Sequence, residues 1–235
     1  MLAELIRANQ PCIALTGAGV STESGIPDFR SAEGIWKRFD PYEVASIEAF
    51  RRDPERVWEF YGLRLDVLRE ARPNPAHVAL AELEARGLVA ALITQNVDRL
   101  HAQAGSRDVI EVHGSVGSAV CIACGRREED VRALLPLPRC VDCGAVLKPG
   151  VVMFGELLPG DAIDRATALA QNAGLLLVVG TALEVWPVAG LPAETLEHGG
   201  KLAIVNRDPT AYDEDAALVL HRSAGEVLAA CVGSI

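Results

Sequence analysis

The sequence predicts an α/β fold in which a doubly wound parallel sheet is covered by helices on both faces and a small cysteine-rich module is inserted. Short apolar runs alternate with stretches of helical character along most of the chain. Several of these runs are apolar throughout, which is typical of parallel strands buried on both faces. One stretch has no regular periodicity and contains four cysteines, so we interpret it as an insertion. The 235 residues fit one large domain, or one domain with a small insert.

The apolar runs and the segments between them give the predicted elements in chain order. Strands are predicted at residues 13–16, 89–94, 109–112, 151–153, 175–179 and 202–205. Helices are predicted between most of them, at residues 54–71, 75–85, 160–173 and 191–198. Alternation from strand to helix to strand is what a parallel sheet with crossover helices requires.

The bulk composition argues against several classes of protein. The formal net charge is −10, which disfavours a nucleic-acid-binding surface but is compatible with basic protein substrates. No apolar run approaches the ~20 residues of a membrane span, and no basic region precedes an apolar block at the N-terminus, so neither a span nor a signal peptide is expected. Six cysteines without a secretion signal favour metal binding in a reducing compartment, and we expect a cytoplasmic protein. The oligomeric state stays open, and a monomer is compatible with the sequence.

The cysteines form the strongest single pattern in the chain. Two C-x-x-C turns are formed by Cys121, Cys124, Cys140 and Cys143. Two such turns supply a tetrahedron of thiolates, which predicts one structural zinc ion, because four sulfur ligands leave no open position for a substrate. The alternatives are two fortuitous pairs of thiols, or a nucleic-acid-binding zinc ribbon, which the acidic stretch REED inside the module disfavours. The remaining cysteines, Cys12 and Cys231, fit core positions.

A glycine-rich loop follows the first predicted strand. Gly17 and Gly19 begin like the phosphate-binding turn of a dinucleotide-binding fold, whose glycines let the backbone approach the pyrophosphate. The third glycine, Gly25, comes too late for G-x-G-x-x-G, and the acidic residue expected ~20 residues further on is absent. A long irregular segment at residues 26–41 follows instead, and such loops are usually functional or disordered. The glycines alone are therefore a weak indication of a nucleotide.

Further motifs follow in order along the chain, and together with this loop they indicate its function. They read GAGVSTESGIPDFR at residues 17–30, TQNVDRLHAQAG at 94–105, EVHGS at 111–115, KPGVVMFGE at 148–156 and VVGTAL at 178–183. Together they resemble the sirtuin family of NAD-dependent protein deacylases over almost the whole chain. The resemblance implies a single sirtuin catalytic domain, residues 1–235. Its parts would be Rossmann-like (1–35, 88–114 and 149–235), helical with the cofactor loop (36–87) and a zinc module (115–148).

The resemblance also implies the residues of the site. Those expected to bind NAD lie in the glycine loop, the cofactor-binding loop after it, the Q-N-x-D motif and the later strand ends: Gly17, Ala18, Gly19, Asp28, Phe29, Arg30, Gln95, Asn96, Asp98, Gly180, Thr181, Asn206 and Ala224. His113 matches the general base of the family. Val151, Val152 and Phe154 are expected to pair with and flank an extended substrate strand, by strand addition.

The reaction that the resemblance implies removes acyl groups from lysine side chains of protein substrates and consumes NAD. The acyl oxygen attacks the ribose carbon as nicotinamide leaves, and His113 then removes a proton from the ribose hydroxyl. The products are free lysine, nicotinamide and O-acyl-ADP-ribose. A loop that closes over a nicotinamide ribose is longer than a Rossmann turn, which accounts for the departure from G-x-G-x-x-G.

Simpler roles compete with these assignments. A single histidine at a strand end, such as His113, is more often a structural group than a base, and Asp98 could be a helix N-cap. The remaining histidines keep a structural interpretation: His77, His101, His198 and His221. The chain also departs from the family at Ala182, where serine is usual, and at Met153, where an aromatic residue is common. These departures leave one cofactor contact and the width of the acyl-lysine tunnel open.

One helix position indicates the acyl group. Arg64 has apolar residues three and four positions away on both sides, and Tyr61 stands one turn before it. A guanidinium on an apolar face snorkels, forms a structural ion pair, or meets an anionic ligand. The Tyr-x-x-Arg spacing resembles class III sirtuins, including compact bacterial members, which remove succinyl and malonyl groups. We therefore expect those acyl groups as substrates, with acetyl also accepted.

Other functions stay open at the level of the sequence. A plain lysine deacetylase and a protein mono-ADP-ribosyltransferase would use the same cofactor. A non-enzymatic module that binds acyl-lysine or NAD would use the same fold. The presence of Asn96, Asp98 and His113 argues against such a module, because binding alone needs no general base.

Overall fold

The computed structural model describes residues 1–29, 31 and 34–235. Its helices are α1 (Leu2–Ala8), α2 (Pro41–Val44), α3 (Ile47–Arg52), α4 (Pro54–Glu70), α5 (Pro75–Ala85), α6 (Leu100–Ala104), α7 (Gly160–Gln171), α8 (Leu191–Glu197) and α9 (Ala224–Gly233). Its strands are β1 (Cys12–Thr16), β2 (Ala91–Thr94), β3 (Val109–Glu111), β4 (Gly114–Val120), β5 (Arg127–Glu128), β6 (Lys148–Val151), β7 (Leu175–Val179), β8 (Lys201–Val205) and β9 (Leu218–Leu220).

The described residues group into two compact units. The first unit comprises Met1–Ser24, Arg72–Val112 and Pro159–Ile235, and the second comprises Gly25–Ala71 and His113–Leu158. Helix α5, which the sequence assigned to the helical part, packs against α9 within the first unit. The finer division into three parts stays a prediction.

The first unit contains a parallel sheet with the strand order β3-β2-β1-β7-β8-β9. Numbered within the sheet alone, this order is 3-2-1-4-5-6, which is that of the Rossmann fold. The predicted doubly wound sheet is therefore confirmed. The order reverses at β1 and β7, and ligands of such sheets bind outside the carboxyl ends of the strands at this reversal.

Helices cover both faces of this sheet. On one face, α1, α5 and α9 contribute Ile6, Leu80 and Leu228 to a core that includes alternate residues of β1, β7 and β8. Helices α7 and α8 pack against each other and against β3, β7 and β8. Every residue of β1, β2 and β7 is buried, which explains why these strands are apolar runs rather than alternating patterns.

The second unit combines helices α2, α3 and α4 with a small antiparallel sheet of strand order β5-β4-β6. Helix α4 begins after Asp53, whose carboxylate accepts a hydrogen bond from the Arg56 amide, and Pro54 occupies its first position. The buried Trp58 of α4 donates from Nε1 to the Leu147 carbonyl at 2.7 Å, next to β6. Among the described residues, no helix is both long and apolar enough to cross a bilayer.

Strands β4, β5 and β9 are absent from the sequence prediction. Strand β4 reads GSVGSAV, in which small residues replace the branched and aromatic residues typical of strands. The strand predicted at residues 151–153 is wrong beyond its first residue, because β6 starts at Lys148 and ends at Val151. Pro149 pairs with Ala119 in the ladder to β4, and it lies in an edge strand of the small sheet, where a proline is tolerated.

Candidate active site

Two loops of the first unit meet at the reversal of the sheet, one after β1 and one after β7. The Gly17 amide donates to the Val179 carbonyl at 3.2 Å, and the Gly19 amide donates to the Gly180 carbonyl at 2.8 Å. A Cβ on Gly17 would lie 2.6 Å from Cβ of Thr181, and one on Gly19 would lie 2.8 Å from the Gly180 oxygen. Only glycines allow this approach, so the carboxyl edge here is lined by backbone, as phosphate binding requires.

Residues of the Q-N-x-D motif belong to a polar cluster around Ser21. Asn96 donates from Nδ2 to Ser21 Oγ at 3.0 Å, and Ser21 Oγ donates to Asp98 Oδ2 at 2.8 Å. The other Asp98 oxygen accepts a hydrogen bond from the Leu100 amide at 2.9 Å, at the first residue of α6. Asp98 therefore also binds the start of that helix, as the sequence allowed. Ser21 was not predicted, and its position in the glycine loop was the only available signal.

Two buried histidines complete this polar cluster. His77 Nδ1 accepts a hydrogen bond from the Asn74 amide at 3.3 Å, so the neutral ring carries its proton on Nε2, 3.4 Å from Ser21 Oγ. His101 Nε2 lies 2.9 Å from Thr16 Oγ1, and the two rings are 4.7 Å apart. Burial lowers the pKa of His77, whereas Asp98 raises it. Burial, with a smaller contribution from His77, lowers the pKa of His101 to about 3. Both rings are therefore neutral near pH 7.

The other predicted NAD-binding residues of the first unit lie in the loops that follow the strands or, for Ala224, at the start of a helix. Gln95 donates from Nε2 to Thr181 Oγ1 at 2.9 Å, which joins the loops after β2 and β7. Asn206 follows β8 and donates to the Asp208 carbonyl at 2.8 Å. Ala224 is the first residue of α9 and is buried. Ala182, the departure from the family, is exposed.

His198 and His221 lie outside the polar cluster and are exposed. His198 Nδ1 is 2.8 Å from the Glu194 carbonyl, and His221 Nε2 is 3.2 Å from an Asp213 oxygen. These local contacts agree with the structural interpretation from the sequence.

Residues of the cofactor-binding loop lie in the second unit. Asp28 Oδ1 accepts a hydrogen bond from the Ser31 amide at 2.8 Å. Phe29 stacks on Trp36 with ring centroids 5.1 Å apart. The predicted Arg30 lies outside the described residues. Trp36 in turn lies 6.2 Å from the Phe154 ring, so one aromatic cluster includes a predicted cofactor residue and a predicted substrate residue.

His113 immediately precedes β4 and is fixed through its backbone. Its carbonyl accepts a hydrogen bond from the Val152 amide at 2.9 Å. The next residue, Gly114, has a φ of +73° and lies so close to β6 that a Cβ would be 2.2 Å from the Gly150 oxygen. The structure therefore brings the predicted base next to the predicted substrate segment within the second unit.

Beyond β6, the substrate segment is hydrogen-bonded to the residues at the start of α3. The Phe154 amide donates to the Ala45 carbonyl at 2.9 Å, and the Phe154 carbonyl accepts from the Ile47 amide at 3.0 Å. Val151 and Met153 are buried, and Val152 is half-buried. The backbone of this segment is thus bonded on both sides of Met153.

Tyr61 and Arg64 lie on α4. Tyr61 is buried, and this burial raises the pKa of its hydroxyl, an effect that the nearby Arg64 guanidinium opposes. The guanidinium carbon of Arg64 lies 5.0 Å from the centroid of the Phe29 ring, in cation–π geometry. The apolar face predicted around Arg64 is only partly buried, because Val67 is 43 % exposed.

The predicted cysteine quartet converges in the second unit. The Sγ atoms of Cys121, Cys124, Cys140 and Cys143 lie within 4.8 Å of one another. Individual Sγ–Sγ distances are 3.5, 3.6 and 3.8 Å, close to the ~3.8 Å edge of a tetrahedron with Zn–S bonds of ~2.3 Å. Two equivalent turns present them, since Gly125 donates to the Cys121 carbonyl and Gly144 to the Cys140 carbonyl.

This geometry fits one structural zinc ion held by four thiolates. All six cysteines are free, and no other group of at least three His, Cys, Asp or Glu side chains in the described part of the chain could hold a metal. Cys12 and Cys231 are buried in the core of the first unit, as predicted.

The sequence and fold were compared with those of known proteins. A sequence model of the Sir2 family matches residues 17–187. An NAD-dependent protein deacetylase of Caldivirga maquilingensis is 48% identical over 96% of this chain and 89% of its own length. An NAD-dependent protein deacylase of Pyrococcus furiosus is 46% identical over 100% of this chain and 96% of its own length.

Solved structures of Sir2 proteins are also similar to this chain in fold and sequence. The crystal structure of a Sir2 homologue with NAD has a TM-score of 0.93 and 45% identity, and the match covers 99% of this chain and 92% of that one. A complex of Sir2 with a p53 peptide and NAD⁺ has a TM-score of 0.90 and 38% identity, over 99% and 96% of the two chains. The chain described here belongs to the Sir2 family, the sirtuins.

Proposed function

We propose that this protein is an NAD-dependent protein lysine deacylase. The observation that carries the proposal is the polar cluster of Ser21, Asn96 and Asp98 beside the close glycine loops, at the edge of the sheet where such folds bind ligands. Relatives that share nearly the whole chain are NAD-dependent protein deacylases and deacetylases, which supports the same activity here.

The residues present fit NAD. Gly17, Gly19 and Gly180 leave the backbone bare where a pyrophosphate would approach, and a side chain at any of these positions would collide with the facing loop. The hydrogen bond from Ser21 orients the Asp98 carboxylate, whose oxygens can accept a further hydrogen bond from the amide group of a carboxamide. We propose that Asn206 and Ala224 hold the adenosine end, because they follow strands further along the same edge.

NAD acts as a substrate in this proposal, and its nicotinamide is a leaving group that departs neutral. Asn96 and Asp98 orient the nicotinamide ribose and the carboxamide. Val151, Val152 and Phe154 pair with and flank the extended peptide around the acyl-lysine, whose amide oxygen attacks the ribose carbon. His113 then accepts the proton of the ribose hydroxyl that attacks the acyl carbon, a contribution typically worth ~10²–10⁴ in rate.

We further propose that succinyl- and malonyl-lysine are preferred substrates. The support is the placement of Arg64 one turn from the buried Tyr61, with the guanidinium over the Phe29 ring. A guanidinium held in this way offers paired N–H donors to a carboxylate, and the Tyr61 hydroxyl offers a further donor. Acetyl-lysine lacks the carboxylate and would bind without these contacts.

The test is mass spectrometry of acetyl-, succinyl- and malonyl-lysine peptides incubated with the zinc-loaded protein, with and without NAD. The proposal predicts NAD-dependent loss of all three groups, fastest for the two acids. Loss of acetyl alone would make the protein a plain deacetylase. ADP-ribose attached to protein would make it a transferase. Peptide binding without turnover would make it a binding module.

A further inference from the structure

Lys148, the first residue of β6, is buried, with only 5% of its surface exposed. Among the described residues, no other Asp, Glu, Lys or Arg is buried to this degree. Burying an ammonium group is costly, and burial lowers the pKa of Lys148 while Glu156 opposes that shift. An apolar side chain of similar size would stabilise the fold as well or better. Stability alone therefore does not explain a lysine at this buried position.

The contacts of Lys148 use its full donor capacity. Nζ donates to the Pro149 carbonyl at 3.0 Å, to the Val151 carbonyl at 2.7 Å and to Glu156 Oε2 at 2.9 Å. An ammonium group has three N–H donors, so each one has an acceptor. Two of the three acceptors are main-chain carbonyls of β6, and one of these belongs to Val151, the last residue of the strand.

Glu156 binds the same segment at Met153. Its Oε2 atom accepts a hydrogen bond from the Met153 amide at 2.9 Å as well as from Lys148. Between these two anchors, the Val152 amide donates to the His113 carbonyl. The segment 151–153 is therefore held by a lysine, a carboxylate and the backbone of the predicted base, although Val152 and Met153 belong to no strand.

We propose that Lys148 and Glu156 are positioning residues, which hold the segment 151–153 in the extended form that an acyl-lysine peptide pairs with. Through the bond from Val152, the same pair fixes the backbone of His113. The role in catalysis rests on the proposed function, whereas the rigidity of the segment does not. The Lys148 ammonium donates to main-chain carbonyls and the Glu156 carboxylate accepts from a main-chain amide, and an apolar pair could do neither.

The first variant to test is Lys148→Met, which keeps the length of the side chain and removes its charge. The amides of Val152 and Met153 should exchange with deuterium at least about tenfold faster, because a tenfold change corresponds to ~1.4 kcal/mol of opening free energy. The KM for the acyl peptide should rise about tenfold, the same energy lost in binding. The KM for NAD should not change. Lys201→Met removes an exposed lysine and serves as the control, with none of these effects expected.

Lys148→Met leaves the partly buried Glu156 carboxylate unpaired and can fail to fold, so the decisive protein is the double variant Lys148→Met/Glu156→Met. Removal of both charges should restore the melting temperature toward that of the parent. A purely structural ion pair predicts that exchange and peptide KM recover together with the melting temperature. A positioning pair predicts that they do not recover. Glu156→Gln keeps an acceptor for the Met153 amide and should protect that amide better than Glu156→Leu does.

Parental exchange rates and parental peptide KM in the folded double variant would overturn the proposal. The exchange measurement needs no activity, so it stands apart from the proposed function. Absence of NAD-dependent deacylation by the parent would refute that function. Fast exchange in the variants would still support the positioning of this segment, and unchanged exchange would refute it.

Discussion

The two units hold their candidate functional residues by different means. In the first unit, these residues follow the strands of a parallel sheet whose buried core comes from α1, α5, α9 and the strands themselves. In the second unit, they lie in segments that a cysteine quartet, an aromatic cluster and a buried ion pair hold in place. We infer that topology sets the proposed cofactor site, whereas a few individual contacts set the proposed acyl-lysine site. Single substitutions should therefore impair stability and activity more in the second unit than in the first.

Removing a zinc ligand should give the largest effect and the sharpest contrast. Cys140→Ala should release the metal and unfold much of the second unit, because binding energy at such sites is folding energy. Metal analysis and hydrogen exchange check this, with increased exchange expected in residues 113–158 and little change in β1 and β7. The control is Cys231→Ala, which removes a buried thiol outside the quartet. A parent without zinc, together with an unchanged melting temperature for Cys140→Ala, would refute the metal site.

The next effect in size concerns the base. His113→Tyr should lower deacylation by ~10²–10⁴ while NAD still binds, because general-base catalysis typically contributes that much. Nicotinamide exchange should survive better than deacylation, since it precedes the proton removal. His198→Tyr changes an exposed histidine and should keep parental turnover. Retention of more than about a tenth of parental turnover by His113→Tyr would exclude the base role.

A substitution at Arg64, in the second unit, should change the acyl selectivity. Arg64→Met should cost roughly 2–5 kcal/mol in kcat/KM on succinyl-lysine, the usual loss when one partner of a buried charge pair is removed. Acetyl-lysine should be turned over at least as well as before. The ratio of the two activities cancels any loss of folded protein, and Arg69→Met on the same helix serves as the exposed control. Equal losses on both substrates would assign Arg64 a structural role.

The smallest effect is a pH dependence that comes from the first unit. The pKa of His101 is about 3 in the folded protein, against ~6.5 in an unfolded chain. The unfolded state therefore binds more protons below pH ~6.5, and the free energy of unfolding falls as the pH falls. Between pH 7 and pH 5 this decrease should be about 2 kcal/mol smaller in His101→Gln than in the parent. Urea unfolding at the two pH values measures it, and equal decreases would contradict the neutral buried ring.

The sequence predicted local patterns and buried strands, but not the contacts between residues that are distant in the chain. Strand β7 is apolar at every position and β1 at every position except Thr16, because both faces of the sheet are buried. The C-x-x-C spacing is local in the chain, so the sequence predicted both the strands and the cysteine quartet. The contact between Ser21 and His77 could not be predicted from the sequence, because it depends on how the start of α5 packs beside the glycine loop. The burial of Lys148 and its ion pair with Glu156 were not predicted, because they depend on contacts that the sequence pattern does not show.

In the proposed reaction, the glycosidic bond of NAD is broken in step with the release of each acyl group. The most direct measurement counts products from a succinyl-lysine peptide, with nicotinamide, freed lysine and O-succinyl-ADP-ribose quantified in the same reaction. We expect equal amounts of all three products, and none of them without NAD. Free succinate released without consumption of NAD, or ADP-ribose found on protein in place of the O-acyl product, would contradict it.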